Sequence, residues 1–292
     1  MTITTNAELT TAVENWIGDT TIAARVAEFI SLGEATIHRR IRNRAMEAQI
    51  DLRIEAAQDG GTAGGTANAL TCTLSTAPTL RTGLTVTLTT AATNTAAATL
   101  NVHSTGVTTI RKGDGTEDLE AGDLVIGFDY TFYYDGTYWR LVPRGGVPLP
   151  SRFVSARRLF LSNDPNHRLD LFQPMDFWSK YLSARQGQPK GFTIEGDLIV
   201  FGPAADATYT VRMLYYRRPQ AIATAVSRLF TENPDLYLYA ALTHASPYLD
   251  DDQRAATWAA FFEQAVMDVE KADRKDRYSG SPGVSRSDVL GG

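Results

Sequence analysis

The side chains best able to do chemistry are scattered along this chain. His38, His103, His167 and His244 fall on separate stretches, and no two of them have a metal-ligand spacing. Each reads as a packing or surface histidine. The run Gly60-Gly61-Thr62-Ala63-Gly64-Gly65 lacks the Lys-Ser/Thr that a phosphate-cradling loop needs, and it reads as a linker. Lys112 to Asp118 offers oxygen ligands but misses the spacing of a calcium loop, so a solvated turn is expected. Ser151, Ser155 and Ser162 lack the context of a nucleophile elbow, and carboxylate pairs such as Asp170 and Asp176 are too numerous for the sequence to single one out. No catalytic cycle, no cofactor and no metal are expected.

Two features could instead bind a partner. The first is His38-Arg39-Arg40-Ile41-Arg42-Asn43-Arg44. On a helix, Arg39, Arg40, Arg42 and Arg44 spread over most of the circumference. Two readings stand: a solvated face, or a docking face for an acidic partner or the phosphates of passing DNA. Base recognition is not expected, because no helix-turn-helix, finger or stacking platform accompanies them. The second feature is the aromatic cluster from Phe128 to Trp139. Alternation turns about half of it inward; Tyr133, Tyr138 and Trp139 are the candidate glycan contacts.

Composition agrees with a binding part. With 43% hydrophobic and 21% charged residues, the chain can fold into an ordinary core. A net charge of −5 gives no general attraction to nucleic acid or anionic membrane. No apolar run approaches the roughly 18 residues of a membrane span, and the first residues do not resemble a secretory leader. The single Cys72 cannot form an internal disulfide and reads as a small core residue.

The elements that position these groups fall into three regions. A short helix is expected from Asn6, as N-cap, to Trp16, ending at Gly18. A second cap near Thr20 or Thr21 opens a long helix with Ile22, Val26, Phe29, Gly33, Ile37 and Ile41 on one stripe. Gly33 on that stripe predicts a close neighbour. Ile50, Leu52 and Ile54 then alternate as a strand. From Ala57 to about Val147, Thr, Ala and Gly dominate. Short alternating runs there predict strands at 69–74, 84–88, 100–102, 107–110 and 130–134, with a hairpin through Asp135-Gly136. The glycine pairs on either side read as flexible hinges. Beyond Pro148 come Phe153–Leu161 (strand or short helix), a helix opening at Pro174 and a hairpin through Glu195-Gly196-Asp197. A strand at 209–216 and two final helices complete the chain.

The predicted fold class is therefore α+β: a helical bundle with a small antiparallel β-sheet, interrupted by an inserted all-β domain, sandwich or barrel-like. The expected domains are 1–56 with 148–278, the insert 57–147, and a flexible tail 279–292.

The third region carries a resemblance. Leu149-Pro150 leads into Phe153-Val154-Ser155-Ala156-Arg157-Arg158-Leu159, then Phe172-Gln173-Pro174 and Gln188-Pro189. Phe192 to Pro203, Tyr215-Tyr216 and Asn233-Pro234-Asp235-Leu236 follow in order. With the helix from Ile22 to Arg44, this resembles the head–tail connector adaptors of tailed bacteriophages, the family that includes tail tubular protein A. The insert is separately similar to small β modules of phage tail fibres, through Thr66 to Thr71, Ala91 to Val102 and Tyr133 to Val142.

The resemblance implies a structural virion protein, made in the host cytoplasm and placed at the head–tail interface. Its implied partners are itself, in a twelvefold ring, the portal protein, and a downstream tail or nozzle protein. Packaged DNA would pass nearby without sequence recognition, and no membrane is involved. Related adaptors grip the portal with a C-terminal segment, a role that Val284, Val289 and Leu290 would take here. The alternative is a receptor- or glycan-binding tail protein acting through the β insert.

Overall fold

A computed structural model describes residues 3–18, 24–182, 185–249 and 252–278. The α-helices are α1 (Asn6–Ile17), α2 (Val26–Arg40), α3 (Pro174–Tyr181), α4 (Arg228–Glu232), α5 (Pro234–Ala245) and α6 (Asp252–Tyr278). Sixteen strands lie among the described residues. They are β1 (Glu47–Ile54), β2 (Gln58–Thr62), β3 (Gly64–Thr66), β4 (Ala69–Cys72), β5 (Thr85–Thr89), β6 (Thr99–Val102), β7 (Val107–Arg111) and β8 (Asp129–Tyr134). The rest are β9 (Trp139–Val142), β10 (Gly146–Pro148), β11 (Phe153–Leu161), β12 (Asp164–Arg168), β13 (Asp170–Leu171), β14 (Gly191–Glu195), β15 (Leu198–Gly202) and β16 (Tyr209–Arg217).

These elements overturn the expected fold class. The chain is β-rich, with three sheets and few helices among the described residues, and is not a helical bundle with a small sheet. Two sheets have four strands each, in the orders β1-β16-β11-β12 and β10-β15-β14-β13. The third has eight, in the order β2-β5-β8-β9-β7-β6-β4-β3, and is nearly barrel-shaped. The physical reason is length. Helical periodicity accumulates over a 15-residue α2, whereas β10 spans 3 residues and β13 spans 2. The β12 sequence, Asp-Pro-Asn-His-Arg, shows no buried alternation at all. Such strands are made by their partners, not by their own pattern.

The chain divides into two compact units, Met1–Ala48 with Tyr216–Gly292, and Gln49–Tyr215. The first is helical. Its α1 is capped by Thr5, not Asn6: Thr5 Oγ1 accepts from Glu8 N, and Glu8 Oε2 accepts from Thr5 N at 3.0 Å. Thr5-Asn6-Ala7-Glu8 is a capping box, a pattern that the sequence itself displays. Gly18 ends the helix at φ 73°. The cap expected near Thr20 or Thr21, and Ile22, lie outside the described residues.

The stripe Val26, Phe29, Ile37 and Ile41 is buried against Leu236, Ala240 and Ala241 of α5. A Cβ at Gly33 would stand 3.0 Å from Ala241 N and 3.1 Å from Ala240 C. That is the close neighbour its position predicts.

The second unit holds the eight-stranded sheet, whose core is built from Leu84, Val86, Leu88, Phe132, Trp139 and their neighbours. The expected alternating runs form strands, and Tyr134 pairs with Trp139 across the Asp135-Gly136 turn. The glycines expected as hinges before the sheet are instead in its edge strands β2 and β3. A Cβ on Gly60 would come within 2.3 Å of Leu88 Cδ2, so close approach and not slackness explains that glycine. Phe153–Leu161 resolves as strand, and Glu195 pairs with Leu198 across a turn with Gly196 at φ 57°.

Candidate interaction site

The arginine run does not stay on one helix. Ile41 is extended (φ −94°, ψ 137°), its N–H closing the last turn onto Ile37 O, so α2 stops at Arg40. Arg42 and Arg44 lie beyond the helix, and Arg44 opens a short 3-10 turn before β1. The four side chains consequently do four different things.

Arg39 donates to Thr36 Oγ1 at 3.1 Å. Arg40 donates to Glu263 of α6 from both terminal guanidinium nitrogens, one bond being 2.8 Å, and lies 5.6 Å from the centre of the Phe262 ring. The hydrogen bond from Arg40 holds the Glu263 carboxyl below its ordinary range. Arg42 donates to His38 O at 2.6 Å and Ile41 O at 2.7 Å, supplying a cation to carbonyls that a helix C-terminus leaves unpaired. Arg44 donates its backbone N–H to Asp273 Oδ1 at 2.9 Å and its side chain to Asp276 Oδ2 at 2.8 Å.

Asp273 also accepts from Arg277, at 2.5 Å, and that bond raises the Arg277 pKa. Arg277 in turn reaches Glu47 at 2.8 Å and the Tyr216 hydroxyl at 3.1 Å. The result is a charged clamp between the end of α2 and one side of α6, beside a groove of about 260 Å³ lined by Asn43, Arg44, Arg228, Glu232, Asp273 and Asp276. Sequence reasoning missed Glu263, Asp273, Asp276 and Glu47. Their signal was the charged run at the end of α6, with Asp273 and Arg277 at the i,i+4 spacing that pairs side chains on a helix.

Behind the clamp, α2 buries two titratable side chains. Glu34 accepts from Ile222 N at 2.8 Å, and burial raises its pKa. Burial, assisted by Arg218 and Arg42, pushes the His38 pKa down to about 4, and its Nε2 has no hydrogen-bond partner. A neutral histidine is the form that suits this site.

The candidate glycan aromatics do not share one open face. Trp139 is buried in the sheet core, its ring 5.2 Å from that of Tyr134. Tyr133 is buried as well, which pushes its pKa up to about 12. Tyr138 is partly exposed and covered by the Arg111 guanidinium, 3.9 Å from its ring centre. Val284, Val289 and Leu290 lie outside the described residues.

Elsewhere, Cys72 is buried, and burial raises its pKa. In the Lys112 loop the ammonium meets Glu120 at 3.5 Å and Asp123 at 3.6 Å. Among the described residues no group of three or more His, Cys, Asp or Glu side chains is placed to hold a metal, and no helix is long and apolar enough to cross a membrane. A concavity of about 870 Å³ lies in the second unit against the Thr-rich faces of β5 and β8, with Asp59, Asp129 and Arg144 on its walls. What the charged clamp offers is an ordered surface of paired charges.

The family model described as SU10 adaptor protein matches residues 4–286. No curated protein matches the chain.

Proposed function

This chain belongs to the SU10 adaptor protein family, making it a structural component of the bacteriophage virion, and from that premise we propose that it is a head–tail adaptor. Its copies form a ring, twelvefold in our proposal, beneath the portal. The ring extends the DNA channel and offers the next tail component a docking surface. Residues 57–147 are the proposed inserted domain of this adaptor, akin to tail-fibre modules, and the remainder is the part akin to tail tubular protein A.

The observation that carries this reading is the extent of the family match, which covers both compact units and leaves little of the chain unassigned. Ring closure requires a heterologous interface that repeats by rotation. Val284, Val289 and Leu290 are the proposed portal grip: each such side chain contributes about 1.5–3 kcal/mol when buried. The alternative, a receptor or glycan binder acting through Tyr133, Tyr138 and Trp139, gains no support from the burial of Tyr133 and Trp139 and the arginine cover over Tyr138.

Electron microscopy of particles carrying a labelled chain tests the reading. Label at the portal vertex, in one ring, is the expected result; label at the distal tail would replace the adaptor by the receptor-binding protein. Deleting residues 279–292 should leave the fold intact and abolish stable attachment to purified portal. Normal attachment by the shortened chain would remove the tail from the proposal.

A further inference from the structure

The segment from Glu120 to Phe128 is an arch on the eight-stranded sheet that turns large apolar side chains outward. Ile126 is 58% exposed and Phe128 62%. Its backbone is tied down nonetheless. The buried Thr90 donates its hydroxyl to Val125 O and its N–H to Phe128 O at 3.0 Å, and its carbonyl accepts from Gly127 N at 2.8 Å. Val125 N reaches the Tyr130 hydroxyl at 2.9 Å, and Ile126 N reaches Thr93 Oγ1 at 3.1 Å. The buried Asn94 side chain accepts from Leu124 N at 2.8 Å and donates to Glu120 O at 2.7 Å. Exposed apolar side chains on a backbone this fully bonded are pre-ordered for contact, so little conformational entropy remains to be lost on binding.

The arch has an acidic border. Between residues 111 and 129 there are six carboxylates and two cations. Both cations are already engaged, Arg111 with Asp118 at 3.3 Å and Lys112 with Glu120 and Asp123.

The same unit carries a second exposed apolar face with the opposite border. On α3, Phe177 and Tyr181 pack inward, where a Cβ on Gly202 would come within 2.8 Å of both rings. Leu171 before the helix, Met175 on it and Leu182 after it are 64%, 84% and 73% exposed. Met175 and Leu182 are seven residues apart, which returns them to one side of a helix. In the stretch from residue 168 to residue 190 four cations, Arg168, Lys180, Arg185 and Lys190, are exposed, against two carboxylates, Asp170 and Asp176. Lys180 Nζ lies 4.5 Å over the Phe172 ring, which keeps its charge at this face.

We propose that these two surfaces meet between neighbouring copies of this chain: the acidic-bordered arch of one copy seats on the basic-bordered α3 face of the next. Neither surface suits itself, because a twofold contact would place like charges opposite each other. Each suits the other in both apolar centre and charged border, the arrangement of a protein interface. One copy offers both surfaces, so the contact runs head to tail, as a ring requires. This inference rests on the ring reading above and assigns its interface.

The test uses the full chain and analytical ultracentrifugation across protein and salt concentration. The unaltered chain should self-associate, more weakly as salt rises. Ile126→Ser with Phe128→Ser, and separately Met175→Ser with Leu182→Ser, should each lower self-association at least tenfold with an unchanged thermal midpoint. An equal mixture of the two variants retains one intact arch and one intact α3 face, so it should form a one-to-one dimer and stop there. Association of either variant at the unaltered level, a mixture that stays monomeric, or an unaltered chain that stays monomeric up to millimolar concentration would each overturn the pairing. Particle images judge the ring independently, so a ring without this pairing would be recognised as such.

Discussion

Replacing Gly33 by alanine sets two opposing quantities against each other. In an isolated helix the change gains about 1 kcal/mol, because alanine loses less backbone entropy than glycine. Here the added Cβ would stand 3.0 Å from Ala241 N, 3.1 Å from Ala240 C and 3.1 Å from Ala240 Cβ. Two of those atoms are backbone of α5 and cannot rotate away. Ordinary contact needs several tenths of an ångström more, so α5 must shift bodily. Its Leu236, Leu242 and Ala245 are locked in the same core as Phe29 and Ile37 of α2, which resists that shift. Overpacking of this kind costs about 1–3 kcal/mol. Set against the gain in helix propensity, that cost leaves Gly33→Ala destabilising by up to about 2 kcal/mol, since the contacts that must yield are backbone. Chemical denaturation followed by helical circular dichroism reads this as a lower midpoint at unchanged slope. Gly33→Leu should be worse still. A midpoint that rises for Gly33→Ala would show that α5 yields freely, and the close-packing reasoning would be wrong.

Arg40→Ala and Arg44→Ala should each change stability by less than about 1 kcal/mol, because both ion pairs are substantially exposed (side chains 41% and 52% for Arg40–Glu263, 44% and 59% for Arg44–Asp276). Denaturation at low and high salt checks this, and salt-sensitive loss of portal binding by the same variants would identify the run as a docking face. Trp139→Ala should cost about 3–5 kcal/mol through the cavity it leaves in the sheet core; a near-neutral result by thermal unfolding would place that ring outside the core. His38, held at about pH 4 against an ordinary 6.5, takes up its proton more readily when unfolded. Stability should therefore fall as pH drops from about 6.5 to 4, by at most about 3 kcal/mol, and level off below. Glu34 has a raised pKa and the opposite slope above pH 4.5, so the comparison to make is with His38→Gln, in which the Glu34 contribution cancels. Equal pH profiles for the two chains would refute the assignment to His38.

Local information settled a good deal before any contact was known. The Val26–Ile41 stripe fixed the buried face of α2, Pro174 and Pro234 opened helices, and Gly196 turned a hairpin, because each depends only on nearby backbone geometry. The family order of residues from Leu149 to Leu236 pointed to a phage adaptor, and the match over residues 4–286 agrees at that level. The tertiary structure decided what depends on distant partners. Strands as short as β13 form only because β14 supplies hydrogen bonds, so the expected helical bundle with a small sheet around an all-β insert gives way to a β-rich chain. Glycines that resemble a linker are in edge strands, since Gly60 must admit Leu88. The arginine run was legible as charge, but its pairing with Glu263 and Asp276 was not, because those carboxylates lie more than 200 residues away and only folding brings them to the end of α2.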